Sequence, residues 1–153
     1  MFPNMPQSLS CVLLHLIFST KDRFPLLRDD DLLSRTHAYL GGIFREADGP
    51  SLTIGGTADH LHAFFQLSRT LQVAKLVEVI KSNSSHWLKA QGLHNFAWQR
   101  GYACFSVGKS QADSVVAYIR SQAEHHRHVS YQDEVREFFQ RYEVALDERY
   151  VWD

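Results

Sequence analysis

"TADHLHAFFQL", residues 57–67, is the stretch whose reading decides the fold. Taken as a strand, its side chains alternate between two faces. His60, His62, Phe64 and Gln66 then line one face, and Leu61, Ala63, Phe65 and Leu67 the other. The second set is apolar and can serve a core. The imidazoles of the first set stand on one side, close enough to share a divalent ion. A surface-facing polar pair is the alternative at this point. Asp59, immediately before, falls on the opposite face and is the weaker ligand.

Working outward, "SLTIGG" (51–56) reads as a short strand, so the two runs form a hairpin across a tight link. "SCVLLHLIFST" (10–20) is a first strand, interrupted by His15, and "KDRFPLL" a loop, because Pro25 disfavours helix for Phe24. Asp29, Asp30 and Asp31 suit the start of a helix by capping and dipole. Leu32, Leu33, Tyr39, Leu40, Ile43 and Phe44 continue it at roughly helical spacing. A second amphipathic helix spans 70–92 with Leu71, Val73, Leu76, Val77, Ile80 and Leu88 as its stripe and Gly92 as its stop. "GYACFSV" (101–107) is a fourth strand. A helix over 111–128 follows, with Val115, Val116, Ile119 and Ala123 as its apolar face, then a last helix over 130–144 capped by Ser130. The order β-α-β-β-α-β-α-α predicts an α+β ferredoxin-like sandwich: a four-stranded antiparallel sheet with helices and C-terminal helical additions.

At 153 residues the chain reads as one domain, 1–153, with a loose leader at 1–8 that carries Pro3 and Pro6. Its 44% hydrophobic and 22% charged fractions are those of a globular protein. The longest apolar stretch is far too short to span a bilayer, and the absence of early positive charge argues against a secretory signal. Cys11 and Cys104, both in strand-like apolar runs, are expected as reduced core thiols of a cytoplasmic protein. A net charge of -1 does not advertise a duplex nucleic-acid binder.

A second chemical signal lies in "SVVAYIRSQAEHH" (114–126). Tyr118 and Gln122, four apart on a helix, share a face, with His125 and His126 on roughly the same side. A phenol titrating near 10 needs help to attack at neutral pH. A cation on two neutral imidazoles and an amide oxygen can polarise a phosphodiester for it. A histidine-triad hydrolase is excluded, because its alternation continues with a third histidine and position 64 is Phe.

His60-Leu61-His62 followed by Tyr118-x-x-x-Gln122 resembles the single-tyrosine HUH transposases of small bacterial insertion sequences, a family that includes the REP-associated tyrosine transposases. The likeness runs from about Leu9 to the C-terminal "DERYVWD" and takes in "FAWQRGYACFSV" (96–107), where Ala103 and Cys104 replace an expected glycine and small residue. The resemblance implies His60, His62 and Gln122 as ligands of Mg²⁺ or Mn²⁺ and Tyr118 as nucleophile. It implies a 5′-phosphotyrosine intermediate and single-stranded DNA with hairpin ends as substrate. It also implies a homodimer whose active sites can combine one subunit's histidines with the other's tyrosine.

Lys21, Arg23, Arg28, Lys75, Lys81, Lys89, Arg100, Lys109, Arg120 and Arg127 are candidate phosphate contacts. His86, Trp87 and Trp98 could stack on unpaired bases, although Trp98 is expected in the core and Trp87 on the sheet or a dimer partner. Two further function classes stand beside strand transfer. One is a domesticated protein that binds DNA hairpins without cutting; the other is a metal-dependent hydrolase of small phosphoesters.

Overall fold

β1 (Val12–Ser19) runs through the interior of a four-stranded sheet of order β2-β3-β1-β4. β2 (Ser51–Thr57) and β3 (His60–Leu67) form the expected hairpin, with Thr57 opposite His60. β1 pairs antiparallel with β3 on one side and with β4 (Ala103–Val107) on the other. The computed structural model describes residues 7–153, so most of the predicted leader lies outside the described residues. Gln7 and Ser8 are irregular and exposed.

Local chemistry sets the helix ends. α1 (Asp30–Glu46) starts where the Asp29 carboxylate accepts the Leu32 N–H at 2.8 Å, satisfying one of the free donors of the first turn. α2 (Val73–Ala90) ends before Gly92, whose φ of 109° suits a residue without Cβ. Both helices cover one face of the sheet, packing on Leu14, Leu16, Phe18, Leu61, Ala63 and Phe65. Each large side chain among them, fully buried, contributes roughly 1.5–3 kcal/mol of apolar burial.

The other face is covered by the C-terminal additions, α3 (Ala112–Arg120) and α5 (Tyr131–Arg141). Leu13 and Phe64 meet Ile119 there, and Ile17 and Phe105 meet Val135 and Phe138. Burial from both sides explains why β1 and β3 read as near-continuous apolar runs. Within this second face, His15, His60 and His62 form a buried polar island.

Several expectations are corrected. The helix read over 111–128 is divided at Ser121 (φ -98°, ψ 18°) into α3 and the short α4 (Gln122–His125). Across that break Gln122 is buried and Ala123 exposed, the reverse of the apolar-face reading, because the Gln122 amide is held by histidines beneath it. The last helix stops at Arg141 rather than 144, and Ser130 caps it by accepting the Asp133 N–H. Cys11 is exposed, just before β1, and Cys104 is half-buried, with burial pushing its thiol up to about 12. Trp98 is core, donating to Ser84 Oγ at 2.9 Å, but Trp87 stacks on Tyr39 of α1 rather than on the sheet. Lys81 points its Nζ at the carbonyls of Gln99, Arg100 and Gly101, so it ties the chain before β4 to α2.

β2 and α3 approach closely at Gly55, where an added Cβ would lie 2.6 Å from the Ile119 carbonyl oxygen. Gly55→Val is expected to destabilise the protein by about 1–3 kcal/mol and to speed hydrogen exchange along α3. Gly42→Ala, in open space on α1, should instead stabilise by about 0.5–1 kcal/mol; equal effects at the two sites would contradict this packing.

A second expectation concerns His37 on α1, whose Nε2 is buried without a hydrogen-bond partner among the described residues and whose pKa burial lowers to about 4. The unfolded chain, titrating near 6.5, binds more protons between the two values. Stability should therefore be full above pH 6.5 and fall on acidification toward 4, by at most about 1.4 kcal/mol per pH unit for this group. Urea midpoints measured from pH 7 to pH 4 should decline less steeply in His37→Leu.

Candidate active site

The polar island lies where β1 and β3 run side by side, Ile17 opposite His62. His60 and His62 emerge on the same face, as period-two alternation requires, and are 2% and 0% exposed. The surface-facing alternative is thereby excluded. Each imidazole is held from behind. His60 Nδ1 lies 2.8 Å from Asp59 Oδ1 and 3.0 Å from Thr57 Oγ1, and His62 Nδ1 lies 2.8 Å from His15 Nε2. Asp59 and Thr57 fix the ring so that His60 Nε2 points inward. Asp59, the weaker ligand on sequence grounds, thus orients one.

The C-terminal segment closes over these rings. Gln122 Oε1 lies 3.1 Å from His60 Nε2 and 2.9 Å from His126 Nε2. From α5, Glu134 Oε1 reaches His62 Nε2 at 2.9 Å. Its Oε2 lies 3.1 Å from His125 Nε2 and 3.3 Å from His126 Nε2, and accepts a very short hydrogen bond from the Tyr118 hydroxyl. All the predicted site residues, His60, His62, Tyr118 and Gln122, therefore converge within one chain. The Tyr118 ring centroid stands 5.8 Å from that of His62.

The donor set suits a divalent cation. One atom each from His60, His62, His126 and Glu134 lies within 4.8 Å of all the others. Gln122 Oε1 faces the same space. His60 Nε2, His62 Nε2, Gln122 Oε1 and Glu134 Oε1 face one another as a mixed nitrogen and oxygen set of the kind that suits a divalent ion. Burial, against the opposing pull of Glu134, lowers the His62 pKa to about 4, so this ring is a neutral ligand at physiological pH. Burial works against the Glu134 charge too, but hydrogen bonds from His126, His62 and Tyr118 outweigh it and hold the carboxyl far below its ordinary range. Tyr118 moves the other way: burial first, then the adjacent carboxylate, raise its pKa, so the resting phenol keeps its proton.

Three contributors escape a reading of the sequence alone. His15 is visible there only as an interruption of an apolar strand, and His126 as a neighbour of the tyrosine helix. Glu134 does not stand out at all. Its signal is positional: with Tyr131, Val135 and Phe138 it occupies the buried stripe of α5, where an isolated carboxylate is expensive.

Comparison with known proteins gives the fold and the family. No curated protein matches this chain. A presumed transposase of Deinococcus radiodurans R1 superposes with a TM-score of 0.62 at 16% identity, over 79% of this chain and 98% of its own. A REP-associated tyrosine transposase bound to a REP hairpin superposes with a TM-score of 0.60, also at 16% identity, over 84% of this chain and 76% of its own. The sequence pattern described as "Transposase IS200 like" matches residues 8–122, ending at Gln122, so that His126 and Glu134 lie beyond it. With most of its length matched and its site residues gathered in one place, this chain belongs to the IS200-like transposase family.

Proposed function

We propose that the protein cleaves and rejoins single-stranded DNA at hairpin-bearing element ends, with Tyr118 as nucleophile. His60, His62 and Gln122 would hold a divalent ion, Mg²⁺ or Mn²⁺, with Glu134 Oε1 completing the set. One observation carries this reading: a single buried carboxylate touches the cation pocket with one oxygen and the Tyr118 hydroxyl with the other. A nucleophile would then stand beside a phosphate-polarising centre.

Tyr118 Oη attacks the scissile phosphorus while its proton passes to Glu134 Oε2, within hydrogen-bond reach. The new Oη–P bond forms as the P–O3′ bond breaks, and the leaving 3′ oxygen takes a proton from solvent. The products are a 5′-phosphotyrosine and a free 3′-hydroxyl. Rejoining reverses these steps: an incoming 3′-hydroxyl displaces the phenol, which recovers its proton from Glu134. A divalent ion, when bound, would withdraw electron density from the phosphodiester and stabilise the leaving oxygen. His15 and Asp59 hold the two imidazoles in the orientation the ligands need.

A hairpin substrate is supported by the structural neighbour that is itself bound to a REP hairpin. No helix among the described residues is long and apolar enough to cross a membrane, and we place the enzyme in the cytoplasm as a single-domain homodimer. The Tyr118 ring, 5.8 Å from that of His62 in the same chain, supports a site that works in cis over one shared between subunits.

Incubated with Mn²⁺ and a labelled oligonucleotide carrying the palindromes that flank the gene, the wild type should form a covalent adduct that survives denaturing electrophoresis. Tyr118→Phe should form none while retaining hairpin binding; an adduct on the variant would remove Tyr118 from its role. Hairpin binding by the wild type without any adduct would favour the non-cleaving binder, and nucleotide turnover by Tyr118→Phe the small-phosphoester hydrolase. Glu134→Gln should slow adduct formation by roughly 10²–10⁴-fold, the usual weight of a general base. Mn²⁺ titrated calorimetrically should bind the wild type and fail to bind the His60→Ala, His62→Ala double variant, and chelation with EDTA should stop cleavage.

A further inference from the structure

Beside Tyr118, β4, α3 and α5 line an open cavity of about 420 Å³. That volume falls within the roughly 300–1,000 Å³ of small-ligand pockets. One wall is aromatic. Phe138 and Tyr142 flank Phe105, stacked on it at interplanar angles of 14° and 17°, and the Tyr142 hydroxyl donates to the Ser106 carbonyl at 2.9 Å. The rings are thus fixed in place. Val107 and Val115 face them, and Gln111 and Ser114 bring an amide and a hydroxyl to the lining. Tyr118 and His15 belong both to this cavity and to the site described above.

The electrostatics select the occupant. Arg141 and Glu137 both line the cavity and engage each other at 2.9 Å, with the guanidinium over the Phe138 ring, so the pair presents no net charge to an occupant, and His125 stands at the Tyr118 end. A flat, neutral group with apolar faces and polar edges suits these walls. When a strand lies with its scissile phosphate at Tyr118 Oη, the base next to that phosphate is the group of this kind nearest the opening. Unpaired bases extruded from a strand are held in the same manner, by stacking on aromatic and apolar side chains with polar groups at their edges.

We propose that this cavity is a nucleobase pocket, which takes one unpaired base adjoining the cleaved bond and so sets the strand's register against Tyr118. The assignment rests on the strand-cutting reading above, but base binding is measurable without cleavage. In the full-length protein with ¹³C-labelled valine methyls, each of the four deoxynucleoside 5′-monophosphates is titrated in turn, with deoxyribose 5-phosphate as the control. At least one nucleotide should shift both the Val107 and the Val115 methyls in a saturable manner, while the sugar phosphate moves neither. Ser114→Phe, at an exposed helix position whose new ring would fill the cavity, should lose those shifts and keep the remaining valine spectrum. Absence of shifts with every nucleotide, equal shifts with the sugar phosphate, or unchanged binding by Ser114→Phe would each overturn the pocket. Base binding by a protein that forms no tyrosine adduct would leave the pocket standing and sink the cleavage mechanism instead.

Discussion

A carboxylate 1% exposed, between a sheet and the helix that carries it, is the constraint on which the rest of this structure turns. Taking a carboxylate out of water costs several kcal/mol unless its oxygens are fully satisfied. Glu134 meets that demand with imidazoles from β3 and from the segment after α4, and with a phenol from α3. Elements distant in sequence are therefore drawn to one point by a single buried charge. The C-terminal helices then do more than shield the second face of the sheet. They complete a site that the sheet only begins.

The same arrangement explains why the proposed nucleophile and the ligand pocket need each other. In the resting protein the phenol is kept neutral by burial and by the carboxylate it donates to. Such a group is a poor nucleophile on its own, yet its proton already points at its acceptor. The imidazoles, backed by Asp59 and His15, need no deprotonation at neutral pH to act as ligands where burial keeps them neutral, as at His62. Pre-organisation is thus built into neighbouring strands rather than loops, with Gly55 letting α3 settle against β2 close enough to present Tyr118 and Gln122.

Much of this was legible in the sequence because it follows from periodicity. The alternation in "HLHAFFQL" placed His60 and His62 together, and the four-residue spacing brought Tyr118 and Gln122 to one side although the helix breaks at Ser121 between them. The strand and helix order gave the ferredoxin-like sandwich for the same reason. What was not legible depends on tertiary burial. Glu134 sits in "YQDEVREFF", where an acidic residue among acidic residues looks solvated, and only docking of α5 shows that it lies on the buried stripe. The break at Ser121 was equally hidden, since local propensity favours continuing the helix and long-range bonds from Gln122 to the histidines decide otherwise. Trp87, expected on the sheet or a dimer partner, stacks on Tyr39, and Lys81, a candidate phosphate contact, is engaged by backbone carbonyls.

The most direct test of the central claim is anomalous diffraction from a crystal of this protein soaked in Mn²⁺. The account predicts one strong peak bonded to Nε2 of both His60 and His62, with Gln122 Oε1 and Glu134 Oε1 turned toward it and the Tyr118 hydroxyl at its edge. A crystal that takes up manganese elsewhere, with this cluster unchanged and empty at saturating metal, would contradict it.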